Sequence, residues 1–267
     1  METQKNVLIV GASSGIGFRT AVKLCDGGYK VYNASRTECA DTRVTNLLTD
    51  VRNGDGIKRT VSEILRTDGR VDAFVYCAGF SMAAPVEFTE PDDYYKTFEV
   101  NFFGAVRCLQ QILPSMRARG GGRIVLISSM GASLPIAFDA FYSSAKAALE
   151  KLAGALSIEL MPYNIKVTAL LPGGTATDFT FKRKVYDGAG VGDYAERMNT
   201  AVKALAKTEQ SGMSPEAVAD TIVKIIEDSD PPETVASGFA NKAARFSQKI
   251  LPQKLTSYLN RRSYGQP

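Results

Sequence analysis

The chain has 267 residues, 45% of them hydrophobic and 22% charged, a net charge of +4 and no histidine. This balance suits one globular domain. The missing histidine excludes Ser-His-Asp and Cys-His nucleophiles, HExxH proteases and histidine zinc sites, leaving Tyr, Lys, Asp, Glu and Cys for acid–base chemistry. Cys25, Cys39, Cys77 and Cys108 are widely spaced without a CxxC pair, so a reducing compartment and no metal centre are expected. The charge is too small and too mixed to imply nucleic acid. Met1 to Asn6 leads straight into a strand-like run without a signal-peptide core, and no uncharged apolar stretch reaches 18 residues, which predicts a cytoplasmic protein without a membrane span.

Short apolar runs at Asn6 to Val10, Lys30 to Asn33, Val71 to Tyr76, Arg123 to Ser128 and Lys166 to Leu171 lack the alternation of half-wet strands, which predicts a parallel sheet covered on both faces. Between them lie helical segments: Ile16 to Cys25 before Gly27-Gly28, and an apolar face at Val61 to Leu65 before Gly69. Glu216 to Glu227 reads as a helix capped by Ser214, with Pro215 in its first position and Val218, Ile222, Ile225 and Ile226 on one face. The alternation predicts a single α/β domain over 1–267, a Rossmann-type doubly wound parallel sheet flanked by helices, with ligands at the carboxyl ends of the strands. Residues 178–213 are glycine-punctuated and read as an irregular substrate-binding loop or lid.

After the first strand, Gly11-Ala12-Ser13-Ser14-Gly15-Ile16-Gly17 combines a tight glycine loop with a helix start. Glycines let backbone approach a pyrophosphate, and the helix N-terminus faces its charge; the bland reading is a simple turn. The second strand leads to Ser35-Arg36, where a dinucleotide site needs an acid for ribose hydroxyls or a base for a 2′-phosphate. Arg36 favours NADP(H) over NAD(H), against the plainer reading of a solvated strand-end arginine. Further on, Tyr142 and Lys146 lie four apart in an alanine-rich segment and share a helix face. An ammonium about 4 Å from a phenol is worth about 4 kcal/mol at an effective dielectric near 20, enough to bring Tyr142 near neutrality.

Together these residues resemble the classical short-chain dehydrogenases/reductases over essentially the whole chain: Gly11 to Gly17, Asp50-Val51, Cys77-Ala78-Gly79, Asn101, Ser128-Ser129, Tyr142 with Lys146, and Pro172-Gly173, in the family's order. The resemblance implies that Tyr142 is the general acid/base, that Ser129 holds the substrate oxygen, and that Lys146 binds the nicotinamide ribose. It also implies that Asn101 holds a water relaying protons to Lys146. Gly11, Ser13, Ser14, Gly15, Ile16, Gly17, Arg36, Asp50, Val51, Cys77, Ala78, Gly79, Asn101, Tyr142, Lys146, Pro172, Gly173, Thr175 and Thr177 would bind the cofactor, with Asp50 at the adenine amino group. Ser128 is expected to be structural. Cys77 stands where the family usually has Asn and reads as a small buried residue ahead of a reactive thiol.

The resemblance places the substrate pocket at Ala132 to Phe138 and Thr177 to Met213, where Leu134, Ile136, Phe138, Phe179 and Phe181 make it apolar. The expected function is NADP(H)-dependent interconversion of a hydrophobic carbonyl (steroid, retinoid or lipid-like) and its alcohol, on a homodimer or homotetramer. The alternatives are a 3-oxoacyl-thioester reductase and a non-catalytic NADP-binding regulator. Lys182, Arg183 and Lys184 read as a solvated loop face, or else as contacts for a phosphate or carrier. The basic extension 233–267 carries Lys242, Arg245, Lys249, Lys254, Arg261 and Arg262 with no acid after Glu233. Its Phe239, Ala243, Phe246 and Ile250 follow helical spacing. That segment predicts either peripheral membrane contact or a helix packed over the cleft or a neighbouring subunit.

Overall fold

A computed structural model describes residues 4–188 and 191–266; the outermost residues of the expected domain and tail, residues 189 and 190 of the expected lid, and the Lys249 side chain lie outside the described residues. In chain order the elements are β1 (Asn6–Val10), α1 (Gly15–Asp26), β2 (Lys30–Ser35), β3 (Thr45–Leu48), α2 (Gly54–Asp68), β4 (Ala73–Tyr76), β5 (Met82–Ala83), α3 (Pro91–Phe98), α4 (Gly104–Arg119), β6 (Gly122–Ile127), α5 (Ala140–Glu159), β7 (Ile165–Leu171), β8 (Lys184–Val185), α6 (Ala195–Gln210), α7 (Pro215–Glu227), β9 (Thr234–Ala236), α8 (Phe239–Ile250) and α9 (Gln253–Ser263).

Seven strands form a parallel sheet in the order β3-β2-β1-β4-β6-β7-β9. The strand order reverses between β1 and β4, and this is where a doubly wound sheet opens a crevice at its carboxyl edge. Burial on both faces explains the unbroken apolar strands. Leu8 and Val10 of β1 pack with Ile57, Ile112 and Leu149 from α2, α4 and α5. Val7 and Ile9 pack with Leu24, Val218 and Ile222 from α1 and α7. The α7 helix begins as its cap chemistry predicts: the Ser214 side chain accepts the Ala217 N–H at 3.2 Å, and Pro215 stands at the first turn.

Three features depart from the sequence reading. β3 and β9 join the sheet edges as short strands; Thr45–Leu48 buries none of its four residues and Thr234–Ala236 is only three residues long, so neither carried an apolar run to detect. Segment 178–213 is not irregular throughout: Ala195–Gln210 is helical, burying Met198, Ala201 and Leu205 along one face. Its alanines and single large residues make a faint stripe, yet the stretch has neither Gly nor Pro to break it. Finally, the chain around Val71 and Asp72 docks onto β1 before β4 begins, with Asp72 N–H donating to Asn6 O and the Asp72 carboxylate accepting the Asn6 N–H.

Candidate active site

The glycine loop lies against the end of β4. Gly11 has φ of +95°, and a Cβ there would meet Ala78 N at 2.8 Å, so only glycine lets the two backbones pass. A Cβ on Gly17 would run into the Gly11 carbonyl. Ala12 N–H donates to Asn33 Oδ1 at 3.1 Å, and Gly11 N–H to Ala34 O, fixing the loop to β2. The Ser14 side chain does not cap α1, and no acid occupies its first turn. The first-turn N–H groups of α1, unlike those of Gly11 and Ala12, therefore have no side-chain cap, and with the positive end of the helix they can face an anion.

At the outer end of this cleft, Arg36 is exposed beyond β2, whereas Ser35 turns inward and its hydroxyl donates to Asn33 Oδ1 at 2.7 Å. Asp50 is gripped by Arg52 (Nη2 to Oδ2, 2.6 Å), which holds its carboxyl down at about 2. Val51 turns its side chain into the core and offers the cleft only backbone. Cys77 N–H pairs with Val10 O at 2.8 Å. Burial pushes the Cys77 thiol up to about 12, so it is no thiolate at neutral pH and behaves as a small core residue.

Beyond Gly79 the catalytic candidates converge. Asn101 is fully buried in a π-helical turn, Glu99–Phe103, that links α3 to α4, and such turns recur at functional sites. Its Nδ2 donates to Phe80 O and Thr97 O, both at 2.9 Å, while Oδ1 has no partner. A Cβ on Gly79 would stand 2.6 Å from Asn101 Oδ1 and 3.4 Å from Lys146 Nζ. The unsatisfied acceptor and the ammonium thus border one small space that glycine keeps open. Lys146 Nζ donates to Ile127 O at 2.8 Å, and burial lowers its pKa to about 8. Ser128, as expected, is structural: its hydroxyl donates to Lys146 O at 2.8 Å. Ser129 Oγ accepts the Gly131 N–H at 3.0 Å and reaches the Tyr142 phenol.

Tyr142 corrects one expectation. Burial raises its pKa well above the ordinary phenol value, and the Ser129 hydroxyl only partly opposes this. Lys146 Nζ lies 5.7 Å from the ring centre and is turned to Ile127 O, so it does not bring the phenol near neutrality in this state. Tyr142 is an acid here, with its proton in place.

The Phe179 ring packs 5.9 Å from Tyr142, and Phe138, in the left-handed region four residues before Tyr142, meets Tyr194 edge-on at 6.1 Å. Phe88, which no sequence pattern singles out, also meets the Tyr194 ring, joining Phe138 in a second aromatic group. Leu134 packs against the core, and Ile136 packs on Gly131. Phe181 points outward, 76% exposed. Pro172 O accepts the Met130 N–H at 2.8 Å, Thr175 Oγ1 donates to Gly173 O, and Thr177 faces Gly15 across the cleft.

Arg183 overturns the solvated-face reading. Its side chain is 2% exposed, paired with Glu209 Oε1 at 2.5 Å and donating to Ser81 Oγ at 2.7 Å. Ser81 in turn donates to Asp139, a carboxyl pushed up to about 7 by burial and placed one turn before Tyr142. The linkage pins the segment after β7 to Ser81 and to Asp139 at the start of α5. It was missed because Lys182 and Lys184, on either side, are exposed as such runs usually are. No group of acidic or thiol side chains suited to a metal occurs among the described residues.

This is the layout of a dinucleotide cleft leading to a buried Tyr/Ser/Lys/Asn group, and residues 5–185 match the family model for short chain dehydrogenase: the chain belongs to that family and is an oxidoreductase acting on CH–OH groups. It is 33% identical over 262 residues to the 3-ketodihydrosphingosine reductase of Bacteroides thetaiotaomicron, covering 97% of both chains. It is also 32% identical over 193 residues to human 17-beta-hydroxysteroid dehydrogenase type 1, covering 66% of this chain and 58% of that one. A short-chain dehydrogenase from Streptomyces avermitilis has the same fold, with a TM-score of 0.84 at 30% identity over 99% of this chain and all of the other.

Proposed function

We propose that the protein is an NADPH-dependent reductase of a long-chain, lipid-like ketone, with Tyr142 as proton donor. The observation that carries this reading is a buried Tyr142 with the Ser129 hydroxyl at its phenol and the Phe179 ring against it, together with Lys146 Nζ and the unpartnered Asn101 Oδ1 bordering one space beside Gly79. Gly11, Ser13, Ser14, Gly15, Ile16 and Gly17 would hold the pyrophosphate, Asp50, Val51, Cys77, Ala78 and Gly79 the adenosine side, and Pro172, Gly173, Thr175 and Thr177 the carboxamide. When bound, NADPH supplies the hydride that reaches the carbonyl carbon.

Tyr142 Oη gives its proton to the carbonyl oxygen, which Ser129 Oγ also holds by a hydrogen bond. Lys146 Nζ replaces that proton, and Asn101 Oδ1 provides the acceptor that seats an intervening water. Apolar walls around this polar centre suit an alkyl or ring ketone. The full-length likeness to a 3-ketodihydrosphingosine reductase favours a 3-keto sphingoid base within that class. The 3-oxoacyl-thioester alternative loses support, since Arg183 is buried in an ion pair and does not greet a carrier. Segment 178–213 serves as the substrate cover, and exposed Ile158 and Met161 give a homodimer or homotetramer an apolar contact.

Steady-state NADPH oxidation with 3-ketodihydrosphingosine, a steroid ketone, retinal and an acetoacetyl thioester tests the substrate class. The long-chain amino ketone should give the highest kcat/KM; a preference for the thioester overturns the reading. The NADP preference rests on Arg36, exposed where an acid would accept ribose hydroxyls. Arg36→Asp should shift the ratio of kcat/KM for NADPH over NADH at least tenfold toward NADH, and an unchanged ratio removes this assignment.

A further inference from the structure

The two C-terminal helices carry their apolar residues on the wrong side for core packing. A surface helix ordinarily turns its apolar stripe to the body. In α8 the inward side is Asn241, Ala244 and Arg245: Asn241 packs on Gly173 and donates to Ser237 O at 2.6 Å, Ala244 packs against the core, and Arg245 pairs with Glu150 at 2.6 Å. Opposite lie Phe239, Ala243, Phe246 and Ile250, which at 100° per residue span an arc of about 60°. Phe239 is 87% exposed and Phe246 and Ile250 are each 64% exposed. Past Pro252, α9 continues the pattern with exposed Leu255, Tyr258 and Leu259.

The rim is cationic. Lys242, Lys254, Arg261 and Arg262 are exposed, and no Asp or Glu follows Glu233. This charge selects among occupants. A twofold contact between two copies would lay the patch on itself, bringing like charges together with no acid of these helices to offset them. A bilayer containing anionic lipid offers an apolar layer for the aromatic and leucine side chains, and negative headgroups for the lysines and arginines.

The patch also has a place in the fold. Asn241 at the start of α8 abuts Gly173, beside the Pro172 end of the cleft, and Asn260 of α9 donates to Pro135 O at 2.8 Å, in the loop that carries Leu134 and Phe138. Both helices therefore flank the mouth leading to Tyr142.

We propose that α8 and α9 dock the enzyme on an anionic bilayer surface, with the mouth of the active site beside the contact. No helix among the described residues is long and apolar enough to cross a membrane, so the contact is peripheral and reversible.

The test is co-sedimentation of the full-length protein with phosphatidylcholine vesicles and with vesicles containing phosphatidylglycerol, at low and high salt. Binding should be at least tenfold stronger on the anionic vesicles and fall with salt. Phe246→Glu with Ile250→Glu should weaken it at least tenfold at an unchanged melting temperature. Should that variant fail to fold, Lys254→Glu with Arg261→Glu, on exposed positions, must give the same loss. Vesicle binding that is absent, or equal in wild type and variants, overturns the proposal. So does a wild-type oligomer that the variants dissociate in light scattering without any vesicle binding, which would make a second copy the occupant. None of these readouts involves turnover, so the result is independent of the substrate reading.

Discussion

The Asp139 carboxyl is held by burial well above the ordinary carboxylate range. It is 3% exposed, accepts from Ser81 and, at 3.4 Å, from Met82 N–H, and has Arg183 nearby, yet burial outweighs all three and raises it from 3.8 to about 7. Folded Asp139 keeps its proton up to about pH 7, whereas in the unfolded chain it loses it near pH 4. Across that window the unfolded state binds fewer protons, so this group's contribution to stability falls as pH rises and is fully lost above pH 7. At about 1.4 kcal/mol per pH unit the loss is at most about 4 kcal/mol. Asp139→Asn has no such titration. In urea unfolding at pH 4.5, 6, 7 and 8, the stability of the variant relative to wild type should climb with pH and level off above about 7. Parallel curves for the two proteins would refute the reasoning, whatever their offset.

Two further substitutions probe the parts that build the site. Arg183→Met strands Glu209 with no cation in a buried position, so stability should drop by about 3–5 kcal/mol, while the double variant Arg183→Met with Glu209→Leu should recover most of it; thermal melting of the three proteins decides, and additive losses contradict the pairing. Gly11→Ala places a Cβ at φ of +95° and against Ala78 N, which should lower the melting temperature and weaken NADPH binding at least tenfold in calorimetry, and an unaltered melting temperature with unaltered affinity would show that the loop has room to spare.

Much of this architecture was legible because the strands are buried on both faces and therefore carry their own signal. β1 and α7 appear almost as the apolar runs and the Ser214-Pro215 cap foretell. The glycine loop was legible for a related reason, since close backbone approach admits only one residue type. What escaped was decided by tertiary partners. Arg183 looks like its solvated neighbours until Glu209 and Ser81 arrive from distant segments. The direction of the Tyr142 shift depends on burial and on where Lys146 Nζ points, neither of which follows from a spacing of four. The apolar stripe of α8 was read correctly as a stripe, but sequence periodicity says nothing about which side of a helix meets the body.

The central claim, that Tyr142 supplies the proton, is tested most directly by a single-turnover measurement of hydride transfer from NADPH to the ketone found best in the substrate panel, in wild type and Tyr142→Phe. Removal of a general acid predicts a rate about 10²–10⁴-fold lower, with NADPH affinity and melting temperature unchanged. A variant that transfers hydride at the wild-type rate would contradict the assignment and move the proton donor elsewhere in the site.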